Sequence, residues 1–304
     1  MRAESLLIVG AGRAGVTLAV ALTRAGRTVR LVARRVERRA HVQAWLQRQG
    51  LVIEVLAAPV PAPIIVLAVP DRALAAAAHS LVADQAVAPD AVWLHLSGAA
   101  PWQVLQLAGG ADDLAAMHPL AALPEPLDVE DADAARRPLA GATFAVAGTP
   151  RAQAVAHDLV AALGGHVVAI ADAARPLYHA AAALAANDLL ALLHVAEQAA
   201  IAAGLTPEQA REGLGHLMQT ALDAVRRLPS ATPLRQALTG AVARGDAATL
   251  ARHMQALATH DPATALIHCE LSSELVNLMR DGGLGPAALA ALDTVLAQTP
   301  RPGD

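Results

Sequence analysis

The chain has 304 residues, 55% of them hydrophobic but only 2% aromatic, and a formal net charge of −4. The length suggests about two domains, and the balance of charge, with no basic stretch interleaved with aromatics, excludes a general nucleic-acid binder. All 23 basic side chains are arginine, which excludes a catalytic lysine, and the single cysteine, Cys269, excludes an intramolecular disulfide and any CxxC metal site.

The first element is Leu6–Val9, a short apolar run. It leads into Gly10-Ala11-Gly12-Arg13-Ala14-Gly15, the spacing G-x-G-x-x-G, and then an Ala/Leu/Val run to Leu22. Strand, tight turn and helix are the context in which this spacing binds a dinucleotide. Gly10 permits the turn, Gly12 lets a pyrophosphate approach the backbone, and Gly15 lets helix and strand pack closely. Residues 10–15 are therefore expected to hold the cofactor at a helix N-terminus. Thr28–Ala33 is a second strand, and Arg34 and Arg35 follow it where an acidic residue would select NAD. Basic residues there accommodate a 2′-phosphate, so the expected cofactor is NADP, held by Arg34 first and Arg35 second.

A helix over 36–49 and a short strand over 51–56 come next. Ile64–Val69 is continuously apolar, as a strand buried on both faces of a parallel sheet should be. Val69, Pro70 and Asp71 close it at the sheet edge that binds ligands, although Asp71 has an equal claim to be a helix cap. The strand 92–96 runs into Ser97 and Gly98, which belong at the same edge, near the nicotinamide. His95, inside that strand, reads as a hydrogen-bonded core histidine. His118 precedes Pro119 and is therefore extended, a candidate to face the crevice. Residues 124–138 are acidic and proline-bearing, and read as a solvated loop. The strand 142–147, the helix 150–163 and the strand 166–170 complete a doubly wound α/β domain over 1–171.

From residue 172 no strand pattern recurs, and 172–304 read as an all-helical domain. Helices are expected over 174–203, 207–227, 233–243, 247–259, 262–281 and 286–297, several opened by X-Pro pairs such as Thr206-Pro207 and Asp261-Pro262. The first carries Tyr178, His179, Asn187 and Asp188 on an Ala/Leu background. His179 and Asn187 are eight apart and share a face. A polar stripe on such a helix lines a wet cleft or is satisfied in a core. Thr239-Gly240 interrupts the third helix, and Arg244-Gly245-Asp246 forms a turn between helices. Arg244 is suited to gripping a carboxylate, with a salt bridge to Asp246 as its structural alternative.

Together the glycine loop, Val69-Pro70-Asp71, His95 to Ala99, His118-Pro119, Tyr178-His179 with Asn187, and Leu238 to Asp246 resemble a known bacterial family. Its members are Rossmann-like NADP oxidoreductases with a C-terminal helical domain of unknown function, related to ketopantoate reductase and pyrroline-5-carboxylate reductase. Ala241 stands where the family often has proline. The single cysteine fits a reducing compartment, and the apolar runs at 5–22 and 55–70 are broken by glycines and prolines, so a cytoplasmic protein is expected. The resemblance implies an NADP-linked enzyme, paired into a homodimer through its helical domains, with the active site between the domains. Ketopantoate reductases use a lysine that this chain lacks, so His179 is expected in its place as proton donor, with His118 second. Ser97 and Asn187 would orient the carbonyl, with Tyr178, Thr239 and Arg244 contacting substrate. The expected substrate is a small carbonyl acid, 2-dehydropantoate first. A cyclic imine is the alternative, and a non-catalytic NADP-binding sensor the reading from outside enzymology. No membrane, nucleic-acid or metal partner is expected.

Overall fold

The computed structural model describes residues 5–298, which form two compact units divided between Ala186 and Asn187. The first unit is an eight-stranded sheet in the order β3-β2-β1-β4-β5-β6-β7-β8. The strands are β1 (Leu6–Val9), β2 (Val29–Val32), β3 (Glu54–Leu56), β4 (Ile64–Leu67), β5 (Val92–His95), β6 (Asp113–Pro119), β7 (Thr143–Gly148) and β8 (His166–Ala169). Every neighbouring pair is parallel except β6 and β7, which run antiparallel. Chain order reverses between β1 and β4, which creates a crevice beyond their C-terminal ends.

The apolar runs explain this arrangement. All four residues of β1 and of β4 are buried, because helices cover both faces of a parallel sheet. α1 (Arg13–Arg24) buries every residue from Gly15 to Leu22 against one face. α2 (Val36–Arg48) is the opposite case, an arginine-rich helix that buries only Val42, Trp45 and Leu46. α3 (Leu74–Ala83) covers the other face with Leu74, Ala78 and Leu81. With few aromatics, the small side chains of α1 replace bulk with close approach.

Residues 124–138 correct the expectation of a solvated loop. They form a 3-10 turn at Pro126–Asp128, the helix α4 (Ala132–Arg136) and a second 3-10 turn at Arg137–Leu139. Asp131 caps α4 by accepting from the Ala134 N–H at 2.7 Å. Ala132, Ala135 and Leu139 are buried in the same core as α1, so the acidic composition belongs to the outer face only. α5 (Pro150–Ala162) connects β7 to β8.

The second unit is helical. A 3-10 turn at Asp172–Ala174 starts α6 (Arg175–Ala202), and the division between the two compact units falls within this helix, after Ala186. The first turn of α6 is tied to the sheet domain by its side chains, which sequence texture does not reveal. α7 (Pro207–Arg227) begins at a capping box, in which Thr206 and Gln209 each bond the other's backbone N–H. The expected helix over 233–243 is broken: a 3-10 turn spans Leu234–Ala237, Leu238 and Thr239 are extended, and only Gly240–Ala243 is helical, as α8. Gly240 has φ +89°, which ends any continuous helix there. α9 (Ala247–His260), α10 (Pro262–Arg280) and α11 (Pro286–Ala297) pack around Val242, Leu250, Met254, Cys269, Val276, Met279, Leu292 and Leu296.

Candidate active site

The crevice beside β1 and β4 holds a cavity of about 580 Å³, lined by Gly10, Ala11, Gly12, Arg34, Arg35, Arg38, Val69, Pro70 and Ser80 among others. Gly10 has φ +115°, and a side chain there would strike the Ala68 carbonyl oxygen. Gly12 is the N-cap of α1, with no side-chain cap and no acidic residue in the first turn. A Cβ on Gly12 would meet nothing within 4 Å, so the helix N-terminus is open to an anion. Arg13 and Ala14 continue this first turn, and Gly15 packs against the Gly10 carbonyl.

The far end of the cavity is basic. Arg34 donates from Nη2 to Ser80 Oγ at 2.9 Å, and Arg35 lines the wall, with no ion pair to a carboxylate among the described residues. Arg38 is committed elsewhere: Nε donates to the Ala11 carbonyl at 2.7 Å and Nη2 to Glu125 at 2.7 Å. It braces the glycine loop, and the segment 124–138 has a structural task through Glu125. A dinucleotide fits these residues: the open helix N-terminus would take a pyrophosphate, and Arg34, bonded to the neutral Ser80 hydroxyl, and Arg35 line the same cavity, where they would meet a 2′-phosphate. Ser80 and Arg38 were missed by sequence reading, because Ser80 lies on α3 and Arg38 belongs to an apparently solvated helix.

A second group sits at the C-terminal ends of β5 and β6. His118 Nδ1 lies 2.9 Å from Tyr178 Oη. The ring centroids of His118 and His179 are 5.7 Å apart, edge to face. Both rings close on Gly98: a Cβ there would lie 2.5 Å from His179 Nδ1 and 2.8 Å from His118 Nε2. Ser97, 7% exposed, builds the loop rather than presenting a free hydroxyl. Its Oγ accepts from the N–H groups of Ala99 at 3.2 Å and Ala100 at 2.9 Å, and its carbonyl accepts from Arg175 Nη2 at 2.8 Å. Its own N–H donates to His95 Nδ1 at 3.1 Å, so His95 carries its proton on Nε2 and donates to the Pro101 carbonyl at 3.3 Å. His95 is thus the satisfied core histidine that its strand position implies. Asp71 opens a 3-10 turn, and no side-chain cap bond is made at that turn or at α3.

Arg175 was missed altogether. Its side chain is fully buried, yet Nε and Nη1 have no hydrogen-bond partner. Gln103 Nε2 donates to Asp172 Oδ2 at 2.8 Å, while Gln103 Oε1 and Asp172 Oδ1 are unpartnered. A buried cation without a tight counter-ion projects its field onto its neighbours. Burial, then the neighbouring His179 and Arg175, push His118 from 6.5 down to about 4, against a small opposing pull from Asp71. Burial, then Arg175, does the same to His95, also to about 4. Burial raises the Tyr178 phenol and the Arg175 charge opposes it. Both imidazoles are neutral at pH 7.

The remaining expected residues lie in the second unit. Asn187 is on α6, two turns beyond His179. Thr239 is the N-cap residue of α8 and Arg244 its C-cap residue. Asp246 caps α9 by accepting from the Thr249 N–H at 3.0 Å, and no ion pair joins it to Arg244 among the described residues. No group of three metal-ligating side chains occurs among the described residues.

The glycine loop, the crevice at the reversal of strand order and the sheet define a Rossmann-like domain followed by a helical region. Residues 2–119 match the Rossmann-like domain and residues 142–275 match a domain of unknown function, DUF2520, so the chain joins these two domains. Among solved structures it is similar to BF3122 of Bacteroides fragilis, put forward as an NADP oxidoreductase, at 20% identity and TM-score 0.68, covering 90% of this chain and 97% of that one. It is similar to protein TM1727 of Thermotoga maritima at 19% identity and TM-score 0.67, covering 91% and 98%. A pyrroline-5-carboxylate reductase of Coxiella burnetii aligns at 14% identity and TM-score 0.59, covering 90% and 99%. No curated protein matches the chain.

Proposed function

We infer that the protein is an NADPH-dependent reductase of a small carbonyl acid, with 2-dehydropantoate as the specific substrate. One observation carries this reading. The basic dinucleotide cavity and the His118–Tyr178–His179 cluster stand on the same C-terminal edge of one sheet. When bound, the reduced nicotinamide supplies the hydride. The chain's own residues then place the proton, and the histidine pair on Gly98 is the group available for that. The buried Arg175 favours a carbonyl, because hydride addition leaves negative charge on oxygen, whereas a protonated imine brings positive charge to a positive site.

The second reading is reduction of a cyclic imine, favoured by the Coxiella burnetii structure's name. The test is loss of reduced-nicotinamide absorbance when protein, NADPH and 2-dehydropantoate are mixed, with NADH and a cyclic imine in parallel. Oxidation with the keto acid is expected; oxidation with the imine alone transfers the proposal to C=N chemistry. NADPH binding without oxidation by any partner points to a sensor.

The helical unit supports pairing with a second copy. Leu190 is 66% exposed and Leu217 62%, with Leu222, Val225 and Leu271 also exposed. The helix over Asp172–Ala202 is long and apolar enough to cross a membrane by length and composition, but its first two turns carry Arg175, Tyr178 and His179. A homodimer that covers these leucines is the reading we adopt, and sedimentation of the purified protein without detergent tests it: a dimer supports it and a monomer removes it.

A further inference from the structure

Resting on the reductase reading, the tyrosine and the buried arginine gain a task of their own. We propose that Tyr178, His118 and Arg175 form a proton relay, in which neutral His118 gives a proton from Nε2 to the substrate oxygen while taking one at Nδ1 from Tyr178, and Arg175 steadies the phenolate left behind.

The geometry comes first. Tyr178 Oη and His118 Nδ1 are 2.9 Å apart. A phenol is the better donor and a neutral imidazole nitrogen the better acceptor, so the Tyr178 O–H points at Nδ1. That places the imidazole proton on Nε2, the nitrogen facing Gly98 and His179. Among the described residues no hydrogen bond is made at Nε2, which lies beside Gly98, so its proton is available to a ligand. Arg175 stands one helical turn before Tyr178 on α6 and is anchored by its bond to the Ser97 carbonyl, 2.8 Å long. Its Nε and Nη1 are buried and unpartnered. A guanidinium with unused donors is costly to bury unless negative charge arrives beside it. The phenolate is that charge, formed only during turnover.

The relay also explains why His118 need not become charged. Its pKa of about 4 makes an imidazolium donor scarce at neutral pH. Burial acts on His118 first; His179 and Arg175 on α6 lower it further, Asp71 after β4 opposes them, and Tyr178 is its hydrogen-bond partner. A double transfer avoids the cation. Hydride adds to the carbonyl carbon, the Nε2–H bond breaks as the new O–H bond forms, and the Tyr178 O–H bond breaks as Nδ1–H forms. The alcohol leaves, solvent returns a proton to Nε2, and the Nδ1 proton passes back to the phenolate, which restores the Nε2–H tautomer and the Tyr178 O–H. His118 is the catalytic residue, Tyr178 its proton source, and Arg175 a positioning residue.

Two spectroscopic readouts and one kinetic test decide it. Long-range ¹H–¹⁵N correlation should show His118 as the neutral Nε2–H tautomer at neutral pH; the Nδ1–H form or an imidazolium would overturn the relay. Tyr178 is the only tyrosine in the chain, so the near-ultraviolet tyrosinate band reports it alone. In Arg175→Met that band should appear at higher pH than in the wild type, and Arg175→Lys, which keeps the charge, should bring it back. Equal midpoints in all three remove Arg175 from the relay. Tyr178→Phe should lower kcat about a hundredfold with KM and NADPH affinity within about twofold, and an unchanged kcat overturns the relay. If the wild type oxidises NADPH with no carbonyl compound, the reductase reading fails by itself, while tautomer and tyrosinate still report whether the relay is built.

Discussion

The dinucleotide cavity and the histidine cluster share one sheet edge but are built in opposite ways. The cavity comes from short contiguous runs: residues 10–15 after β1, Arg34 and Arg35 after β2, and Val69 and Pro70 after β4. Its donors are backbone N–H groups and exposed guanidinium groups, which suits a ligand that brings its own negative charge. The cluster is assembled from three distant segments, Ser97-Gly98, His118 and Arg175–His179, and its charge is buried instead. A binding site can be written in local spacing, whereas a proton site needs burial to set its pKa values.

That contrast decides what could be read from sequence. The glycine spacing, the two arginines and the apolar β4 run carry their physics in neighbouring residues, so the cavity was legible. His118 was flagged because Pro119 forces it extended, and Tyr178 and His179 because they stand on an apolar helix. Nothing local announces that these residues meet over Gly98, or that Arg175 is buried, since an arginine before a proline at a helix start normally faces water. The segment 124–138 misled for a related reason: its charges are visible in sequence, but the burial of Ala132, Ala135 and Leu139 depends on α1.

Five perturbations sharpen the contrast, in descending order of effect. Gly10→Val should abolish measurable NADPH binding, a loss of more than about a thousandfold, because the side chain meets the Ala68 carbonyl at a positive φ. Isothermal titration measures it, and near-normal affinity would remove the loop from the cofactor site. Acidification tests the buried side. The unfolded chain binds a proton at His95 near 6.5, the folded one only near 4, so folding stability falls as pH drops through that window. The share of His95 is roughly 3 kcal/mol. Denaturant melts at several pH values should show this slope, and His95→Gln should lose the His95 share of it while His118 keeps its own.

Gly98→Ala should push the two imidazoles off the loop and lower kcat roughly tenfold to a hundredfold with NADPH affinity within about threefold. Steady-state kinetics paired with a binding titration checks both halves; equal loss of binding would merge the two sites. An Arg34→Asp, Arg35→Ser variant should weaken NADPH about tenfold while sparing NADH. Parallel losses for both cofactors would contradict the 2′-phosphate role. Smallest is Thr206→Ala, which removes the capping box of α7 and should cost about 1 kcal/mol in stability. NADPH affinity should be unchanged, because α7 belongs to the second unit.

The most direct measurement follows reduced-nicotinamide absorbance in purified wild-type protein mixed with NADPH and 2-dehydropantoate, beside Tyr178→Phe under the same conditions. Steady oxidation by the wild type, faster than with NADH and about a hundredfold slower in Tyr178→Phe, is the expected result. Tight NADPH binding with no oxidation by the keto acid or a cyclic imine would contradict the reductase reading of this sheet edge.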